Sequence, residues 1–306
     1  MPLFPLYPPP SITAFHRLAS LFSHILFEKH QDLISNKIMQ DSSLIKITRP
    51  DGRTSNATLR PLAAEVSCLS RSDGSCKFSS GSTTILAAVF GPAAPRAVSR
   101  ARNNEATVAV VFKYGSKISS STTDSSKSYH PGYGTNEREL ERFIGDALQG
   151  CIDTRSYPRT VIEVVIQVMS ADGSVLSSAI NAAVLALMDA GVRMNRIPIG
   201  TTCLVKCFDT NADILFDPSA EEESNDEYAA IVLATSDNDD IGNGGNSSVR
   251  VISSLTFGQF QLESFLACME GSGRASKAIM AFMRVVQEQK VVRESKTLWS
   301  SYNTVP

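Results

Sequence analysis

The acidic residues with potential chemistry lie in one segment of the chain, from Gly134 to Gly191. Asp172 stands in an Ala-Asp-Gly turn, with Glu163 nine residues before it and Gln167 five residues before it. A carboxylate at such a turn can act as a general acid, hold a metal ion, or simply cap the helix that begins near Val175. The residue pattern by itself leaves these roles open.

Basic residues are concentrated in an earlier part of the chain. Residues 46–127 contain 12 Lys and Arg against 5 Asp and Glu, a net charge of +7, whereas residues 209–246 contain 11 acids and no base. Arg96, Arg100 and Arg102 lie close together in a loop after a predicted strand. The asymmetry fits a surface that meets phosphates, and equally one whose charges only keep it solvated.

The elements that must position Asp172 are predicted to be a helix, a strand, a turn and a second helix. Apolar residues at three- and four-residue spacing predict a helix over 134–152. The β-branched run from Arg159 to Met169 predicts a strand buried on both faces. After the turn at 171–174, a second apolar helix runs from Leu176 to Met188 and ends at Gly191.

The rest of the chain predicts further strands and one long helix. A Ser/Thr/Gly-rich stretch over 116–134 predicts a long loop, and a helix is expected from about Gln261 to Gln289, bent near Gly271. The predicted strands are Leu59–Leu69, Ser82–Phe90, Ala106–Tyr114, Ile199–Phe208, Asp213–Phe216, Tyr228–Ala234 and Val249–Leu255, with an Asp-Gly hairpin turn at 72–75.

Composition is typical of a globular protein of 306 residues with a net charge of −2. No apolar run approaches the roughly 20 residues that span a bilayer, so we expect no membrane segment. The 6 cysteines include no CxxC pair, and we expect buried reduced thiols. Residues 1–40 do not share the domain pattern, and we expect the functional chain to begin at or near Met39.

Two long stretches resemble the RNase PH family. They are the Ala-Asp-Gly turn with the alanine-rich run up to Gly191, and the hairpin from Leu69 to Pro92; the Arg-Pro-Asp-Gly-Arg run at 49–53 is similar to the family's opening turn. The resemblance implies an α+β fold, related to the second domain of ribosomal protein S5, with mixed sheets packed on helices. It divides the chain into an extension (1–40), an RNase PH-like domain (41–290) and a tail (291–306).

The resemblance also implies a chemistry that this chain has partly lost. Active members degrade RNA from its 3′ end with inorganic phosphate, and their first central helix carries a Gly-Arg-Ser-Leu-Arg-like run that grips it. Here Asp146 and Gln149 replace both arginines. One charge pair at ~4 Å gains roughly 4 kcal/mol at an effective dielectric near 20, and reversal turns that gain into repulsion. Asp172 matches the catalytic aspartate, as a vestigial acid, and Gln167 stands where a second aspartate belongs.

Within the family, the chain resembles subunits of the eukaryotic exosome ring. The resemblance implies a ring subunit that takes part in rRNA processing and mRNA decay in the nucleus, nucleolus and cytoplasm. Because Asp146 and Gln149 replace the two arginines, we expect it to be non-catalytic and without a cofactor. The implied partners are other RNase PH-like subunits in a hexameric ring, cap subunits with RNA-binding domains, and RNA. Arg96, Arg100 and Arg102 match the loop that lines the pore in relatives, so we expect them to contact RNA phosphates.

Two alternatives remain open from the sequence. The chain could be a working 3′-to-5′ exoribonuclease that uses inorganic phosphate, or a metal-dependent nuclease in which Asp146, Asp172 and Glu163 hold Mg²⁺. A small-molecule kinase on the same fold is disfavoured because the sequence has no glycine-rich phosphate loop of that type.

Overall fold

A computed structural model describes residues 49–94, 102–114, 137–206, 214–225, 227–237 and 249–302. The extension at 1–40, the whole loop predicted at 116–134, and both Arg96 and Arg100 lie outside the described residues. No helix in the described part of the chain is long and apolar enough to cross a membrane.

The first sheet has five strands in the order β1-β2-β3-β5-β4. Strands β1, β2, β3 and β5 pair antiparallel, whereas β4 runs parallel to β5, so the sheet is mixed as expected. The strands are β1 (Leu62–Val66), β2 (Gly74–Ser80), β3 (Thr83–Ala93), β4 (Thr107–Tyr114) and β5 (Val161–Ser170).

Strand β5 differs from its prediction in burial. Its side chains alternate, with Ile162, Val164, Ile166 and Val168 buried and Gln167 exposed between them. The β-branched run was therefore predicted correctly as a strand, but its burial on both faces was wrong. One face of the sheet packs on helices and the other is partly open, which is the usual arrangement where antiparallel pairing dominates.

Helix α1 (Glu137–Gln149) connects β4 to β5 and runs back along β4. Its predicted apolar stripe is confirmed, because all five apolar residues at the predicted spacing within the helix are buried. The Glu141 Oε1 atom accepts a hydrogen bond of 3.0 Å from the backbone N–H of Phe112, and Gly145 faces Val110 one turn later. The end of α1 therefore lies toward the edge where β4 and β5 begin.

Helix α2 (Val175–Asp189) is buried along most of its length under the first sheet. Its predicted stop at Gly191 is confirmed by a left-handed φ of 69° and by a hydrogen bond of 3.1 Å from the Val192 N–H to the Leu187 carbonyl. Buried Asn181 bonds to both backbone groups of Gly200, donating at 3.1 Å and accepting at 2.9 Å. The amide thereby fastens the helix to the second sheet.

The second sheet has four antiparallel strands in the order β7-β6-β8-β9. They are β6 (Ile199–Lys206), β7 (Ile214–Phe216), β8 (Tyr228–Asp237) and β9 (Val249–Phe257), and all four match predicted strands. A four-residue helix, α3 (Ala220–Glu223), follows β7. The predicted hairpin of β6 and β7 is thus present, and it delivers Asp217 to the turn before α3.

The last helix, α4 (Leu262–Tyr302), continues well beyond the end predicted near Gln289. Lys290 bridges to the buried carboxylate of Asp189 at 2.7 Å, and the Arg293 guanidinium donates to the Val66 carbonyl at 3.3 Å. Residues predicted as the start of a tail therefore contact the domain. Position 271 of this helix requires glycine, because a Cβ there would come within 2.2 Å of the Phe216 ring.

The main core lies between the first sheet and helices α1, α2 and α4. A smaller cluster joins α4 to the second sheet through Cys203 and Cys268. The described cysteines are Cys68, Cys76, Cys151, Cys203 and Cys268, and all are free thiols. Burial raises the pKa of Cys76 far above the normal range and that of Cys151 to about 11, so both stay protonated at neutral pH.

Two glycine-to-alanine substitutions test how closely the helices pack, one at the contact of Gly200 with α2 and the other at Gly145 in α1. At Gly200 a Cβ would lie 2.5 Å from the Ser177 carbonyl oxygen, so Gly200→Ala should destabilise the fold by about 1–3 kcal/mol. At Gly145, inside α1, a Cβ would meet only Val110 Cγ2 at 3.7 Å, so Gly145→Ala should stabilise it by about 0.5–1 kcal/mol. Urea unfolding of both variants measures the difference, and equal effects would contradict the described packing.

Candidate functional site

Asp172 lies in the turn between β5 and α2, but it does not cap α2 as one of the predicted roles required. Its Oδ1 atom accepts a hydrogen bond of 3.2 Å from the backbone N–H of Ala220, the first residue of α3. Its own N–H donates to Thr83 Oγ1 at 3.0 Å. The side chain remains 38 % exposed. The carboxylate therefore holds the start of a different helix while keeping a face open to solvent.

A second carboxylate makes the reciprocal contact. Glu223, at the end of α3, accepts a hydrogen bond of 2.7 Å from the backbone N–H of Ser174, which is the N-cap residue of α2. Ser174 itself has a left-handed φ of 49° and no side-chain capping bond. A carboxylate that lies next to one helix thus accepts a backbone N–H at the start of the other. The Ser174 N–H at the start of α2 is therefore not free to bind an external anion.

Beneath Asp172 lies a buried ion pair between Arg60 and Asp217. The Arg60 Nη2 atom donates to Asp217 Oδ1 at 2.7 Å, and the Arg60 backbone N–H donates to Oδ2 at 3.0 Å. Ser80 Oγ also donates to Oδ2, at 3.0 Å. Arg60 reaches further, to the carbonyl oxygens of Asp172 and Gly173. One guanidinium therefore holds both the turn before α2 and the turn before α3.

Gly173 is required where these two turns meet. It has a left-handed φ of 72°, and a Cβ there would lie 2.4 Å from the Pro218 carbonyl oxygen. Its own carbonyl accepts a hydrogen bond of 2.7 Å from Thr83 Oγ1. The glycine of the Ala-Asp-Gly turn therefore permits the close approach that puts Asp172 against Ala220.

Arg49 and Glu222 form a second buried pair next to the first. The Arg49 Nε and Nη2 atoms donate to the two carboxylate oxygens of Glu222 at 2.7 and 2.6 Å, which is a bidentate contact. Arg53 adds a hydrogen bond of 2.9 Å to the Asp217 carbonyl oxygen. The opening Arg-Pro-Asp-Gly-Arg run thus carries structural arginines that anchor the turn around α3.

Both buried carboxylates have pKa values lower than usual. Burial by itself raises the pKa of Asp217, but the hydrogen bonds and positive charge of Arg60 outweigh it and bring the net pKa down. At Glu222 burial again acts upward, and the Arg49 hydrogen bond and the Ser219 N–H lower the pKa. Both groups are therefore ionised at neutral pH and serve structure rather than proton transfer.

The residues predicted to mark the lost phosphate site lie far from Asp172. Asp146 and Gln149 are near the end of α1, at the edge where β4 and β5 begin, whereas Asp172 follows the opposite end of β5. Strand β5 has 10 residues, about 30 Å at ~3.3 Å per residue. The structure therefore does not bring these residues together. Glu163 lies in β5, opposite Phe90 of β3, and also belongs to the far end.

Of the three predicted RNA-contact arginines, only Arg102 is described. Its guanidinium is exposed and pairs with Glu105 at 2.6 Å. Arg102 and Arg155 line the same shallow concavity, together with Asn103 and Asn104. Contact with RNA stays a prediction for Arg102, as it does for Arg96 and Arg100.

Comparison with known proteins gives the family. Residues 58–193 match the model of the 3′ exoribonuclease family, domain 1. The chain is 31% identical over 247 residues to the Arabidopsis thaliana exosome complex exonuclease RRP46 homolog, covering 78% of this chain and 95% of the relative. The chain belongs to the RNase PH family. The family prediction and the α+β fold with mixed sheets are thereby confirmed.

Further relatives support the assignment to the RNase PH family. The rice (Oryza sativa subsp. japonica) exosome complex exonuclease RRP46 homolog is 29% identical over 249 residues, covering 79% of this chain and 97% of the relative. The crystal structure of rice Rrp46 superposes with a TM-score of 0.61 at 28% identity, covering 77% of this chain and 98% of that one. An Archaeoglobus fulgidus exosome chain, from a structure with RNA bound to the active site, has a TM-score of 0.58 and 19% identity, and shares the fold.

The metal-dependent alternative needs three acids that meet at one point. Within the described ranges, no group of three His, Cys, Asp or Glu side chains is placed to hold a metal ion. Asp146, Asp172 and Glu163 are all described, and β5 separates Asp172 from the other two. The residues proposed as ligands for Mg²⁺ in this RNase PH-family chain therefore do not fit that role.

Sequence reasoning missed the buried arginines of this RNase PH domain. Arg60 was not singled out, and Arg49 and Arg53 were noted only as part of an opening turn. Their partners Asp217 and Glu222 lie more than 150 residues away in the sequence, inside a run of acids that suggested a solvated surface. One signal was present in the sequence: several acids lie at 217–223, directly after a predicted strand. Acids that are buried at such a position need basic partners.

The Arg60–Asp217 pair makes a prediction about acid stability. The folded-state pKa of Asp217 lies below its unfolded value of about 3.9, so its stabilisation is present above pH ~4 and is lost as the pH falls through the folded-state pKa. Asp217→Asn leaves Arg60 buried without its counter-charge and should cost about 3–5 kcal/mol at pH 7. The free energy of unfolding in urea, measured between pH 7 and 3, should also fall less steeply in the variant.

Asp51→Asn supplies the control for this experiment. Asp51 pairs with Arg53 at 2.6 Å but is more exposed than Asp217, so its loss should cost only about 0–1 kcal/mol. Equal losses of stability in the two variants would show that the buried pair has no special role.

Proposed function

We propose that this chain is a non-catalytic subunit of an RNA exosome ring, which contributes architecture and RNA-backbone contacts to 3′-to-5′ RNA processing and degradation. Its relatives in Arabidopsis and rice are exosome proteins by name, and the match spans nearly their whole length. The proposed partners are other RNase PH-like subunits in a hexameric ring, cap subunits with RNA-binding domains, and RNA. The nucleus, nucleolus and cytoplasm are the proposed locations.

The observation that carries the non-catalytic part is the exchange of acids between α2 and α3. Phosphorolysis needs free donors at a helix start and an acid free to act. Here the Ser174 N–H is bonded to Glu223 at 2.7 Å, and Asp172 is bonded to the Ala220 N–H. Glu223 already occupies the Ser174 N–H, so its negative charge would repel a phosphate dianion at this helix start.

Ring membership predicts assembly with family partners. Co-expression of the full chain with other RNase PH-like exosome subunits from the same organism should give a stable complex of hexamer size, since neighbouring subunits would bury surface that the isolated chain exposes. Gel filtration with light scattering measures the mass, and mass spectrometry gives the composition. Elution of this chain as a monomer, separate from an assembled ring, would contradict the proposal.

A second candidate is a working exoribonuclease, favoured by the partial exposure of Asp172 in its Ala-Asp-Gly turn and by the word exonuclease in the names of its relatives. We expect labelled poly(A) to keep its length when the purified chain is supplied with inorganic phosphate, with Mg²⁺, or with both. Shortening of the RNA would contradict the non-catalytic proposal.

Asp172→Asn identifies the source of any activity that is found. An asparagine Oδ1 atom can still accept the Ala220 N–H, so the fold should keep its stability within about 1 kcal/mol. A nuclease that depends on this carboxylate would lose its activity in the variant, whereas activity equal to that of the wild type would exclude Asp172.

A further inference from the structure

Five exposed arginines lie on the loops at the edge of the first sheet where β4 and β5 begin. They come from three separate segments, which are the loop before β4, the loop before β5 and the loop after α2. We call this surface the arginine edge, and its members are Arg102, Arg155, Arg159, Arg193 and Arg196. Arg155, Arg159, Arg193 and Arg196 have no role in the function proposed above.

Backbone hydrogen bonds join the three segments into one surface. The Ala106 N–H donates to the Thr154 carbonyl at 2.8 Å, which links the loop before β4 to the loop before β5. The Asp153 N–H donates to the Arg193 carbonyl at 3.0 Å, and the Arg193 N–H donates to Tyr157 Oη at 3.1 Å. The arginines are thus mounted on loops held by main-chain contacts, so a ligand would not have to order them first.

The surface keeps an excess of positive charge. Arg102 pairs with Glu105 at 2.6 Å, and Arg193 approaches Asp153 at 3.4 Å while its side chain stays 71% exposed. The other three arginines form no ion pair with the described residues. Five arginines against these two acids leave a net charge of +3 on the arginine edge.

Two more carboxylates belong to neighbouring elements on this side of the sheet. Asp146 is exposed near the end of α1, and Glu163 is partly buried near the start of β5. Even when both are counted, the arginines remain in excess. Asp172, Glu222 and Glu223 follow the opposite end of β5, about 30 Å away at ~3.3 Å per residue, so these three acids do not neutralise this surface.

One of these arginines stands in a costly backbone conformation. Arg159 has a left-handed φ of 60°, a conformation that is unfavourable for residues other than glycine. Neighbouring bonds hold it there, because Thr160 Oγ1 donates to the Tyr157 carbonyl at 2.8 Å and the Thr160 carbonyl accepts the Thr107 N–H at 2.9 Å. Strain of this kind, retained by surrounding contacts, is concentrated at functional sites.

We propose that the arginine edge binds the phosphodiester backbone of single-stranded RNA, at a site separate from the surroundings of Asp172. Guanidinium groups match phosphate oxygens in geometry and charge, and several on one surface release counterions when a polyanion binds. Such contacts give affinity without sequence preference. The inference rests on the proposed function in taking RNA as the polyanion, but it does not require assembly into a ring.

The test measures binding of a fluorescent 20-nucleotide oligo(U) to the purified full chain at several salt concentrations. Arg155→Gln/Arg196→Gln should weaken binding roughly tenfold at ~0.1 M salt. The slope of log K against log salt should shrink by about 1.4, because each lost phosphate contact on a single strand contributes about 0.7. Both residues are exposed, so unfolding in urea should match the wild type.

Arg274→Gln/Lys277→Gln is the matched control, since it removes the same charge from exposed positions on α4. It should leave RNA affinity within about twofold of the wild type. If both double variants lose the same RNA affinity, the effect comes from net charge alone and the proposal is overturned. It is also overturned if both variants bind oligo(U) as tightly as the wild type. If Arg155→Gln/Arg196→Gln loses binding to polyglutamate but binds oligo(U) as the wild type does, the surface binds an acidic protein rather than RNA. That result would also overturn the proposal.

The same proteins separate this inference from the proposed function. Ring assembly is scored by gel filtration with the partner subunits, and RNA binding is scored on the isolated chain. A chain that binds oligo(U) through Arg155 and Arg196 but does not assemble refutes only ring membership. A chain that assembles and whose RNA binding ignores these arginines refutes only the arginine edge.

Discussion

The buried guanidinium of Arg60 is the contact on which the arrangement around Asp172 depends. It binds the Asp217 carboxylate and, on its other side, the carbonyl oxygens of Asp172 and Gly173. Burying two charges is costly, and it is tolerated when the remaining donors and acceptors are also satisfied. Here the Arg60 backbone N–H and Ser80 Oγ complete the bonds of the Asp217 carboxylate, whereas the buried Arg60 Nε atom has no hydrogen-bond partner among the described residues. The turn after β5 and the turn after β7 therefore have a fixed separation, which sets where the acids near them can reach.

That fixed separation explains why the acids at this end of the sheet act on the protein's own backbone. The turn before α2 and the turn before α3 are close enough for Asp172 to accept the Ala220 N–H and for Glu223 to accept the Ser174 N–H. Gly173 allows this approach, since no side chain fits between it and Pro218. A helix start that is neutralised in this way loses its attraction for an external anion. The same geometry thus stabilises the two turns and places a carboxylate beside the N–H group that an external anion would otherwise use.

Local patterns in the sequence predicted most of the fold and little of the site. The stripe of α1 and the stop at Gly191 depend on spacing and on glycine chemistry within a few residues, so they were predicted correctly. The far end of α4 was missed because its partners, such as Asp189 with Lys290, are distant in sequence. The capping role of Asp172 failed for the same reason, since Ala220 comes 48 residues later. Tertiary contacts override local preference where a helix start finds a better partner.

Strand β5 gives the domain two chemically different ends. Acids and buried ion pairs gather where it finishes, and exposed arginines gather where it begins, about 30 Å away at ~3.3 Å per residue. Charges at that distance are separated by several Debye lengths at physiological salt, so each end responds to its own ligands. A change to the acids around Asp172 therefore need not alter the surface around Arg155. The two ends can therefore change independently in sequence, because they depend on different loops at opposite edges of one sheet.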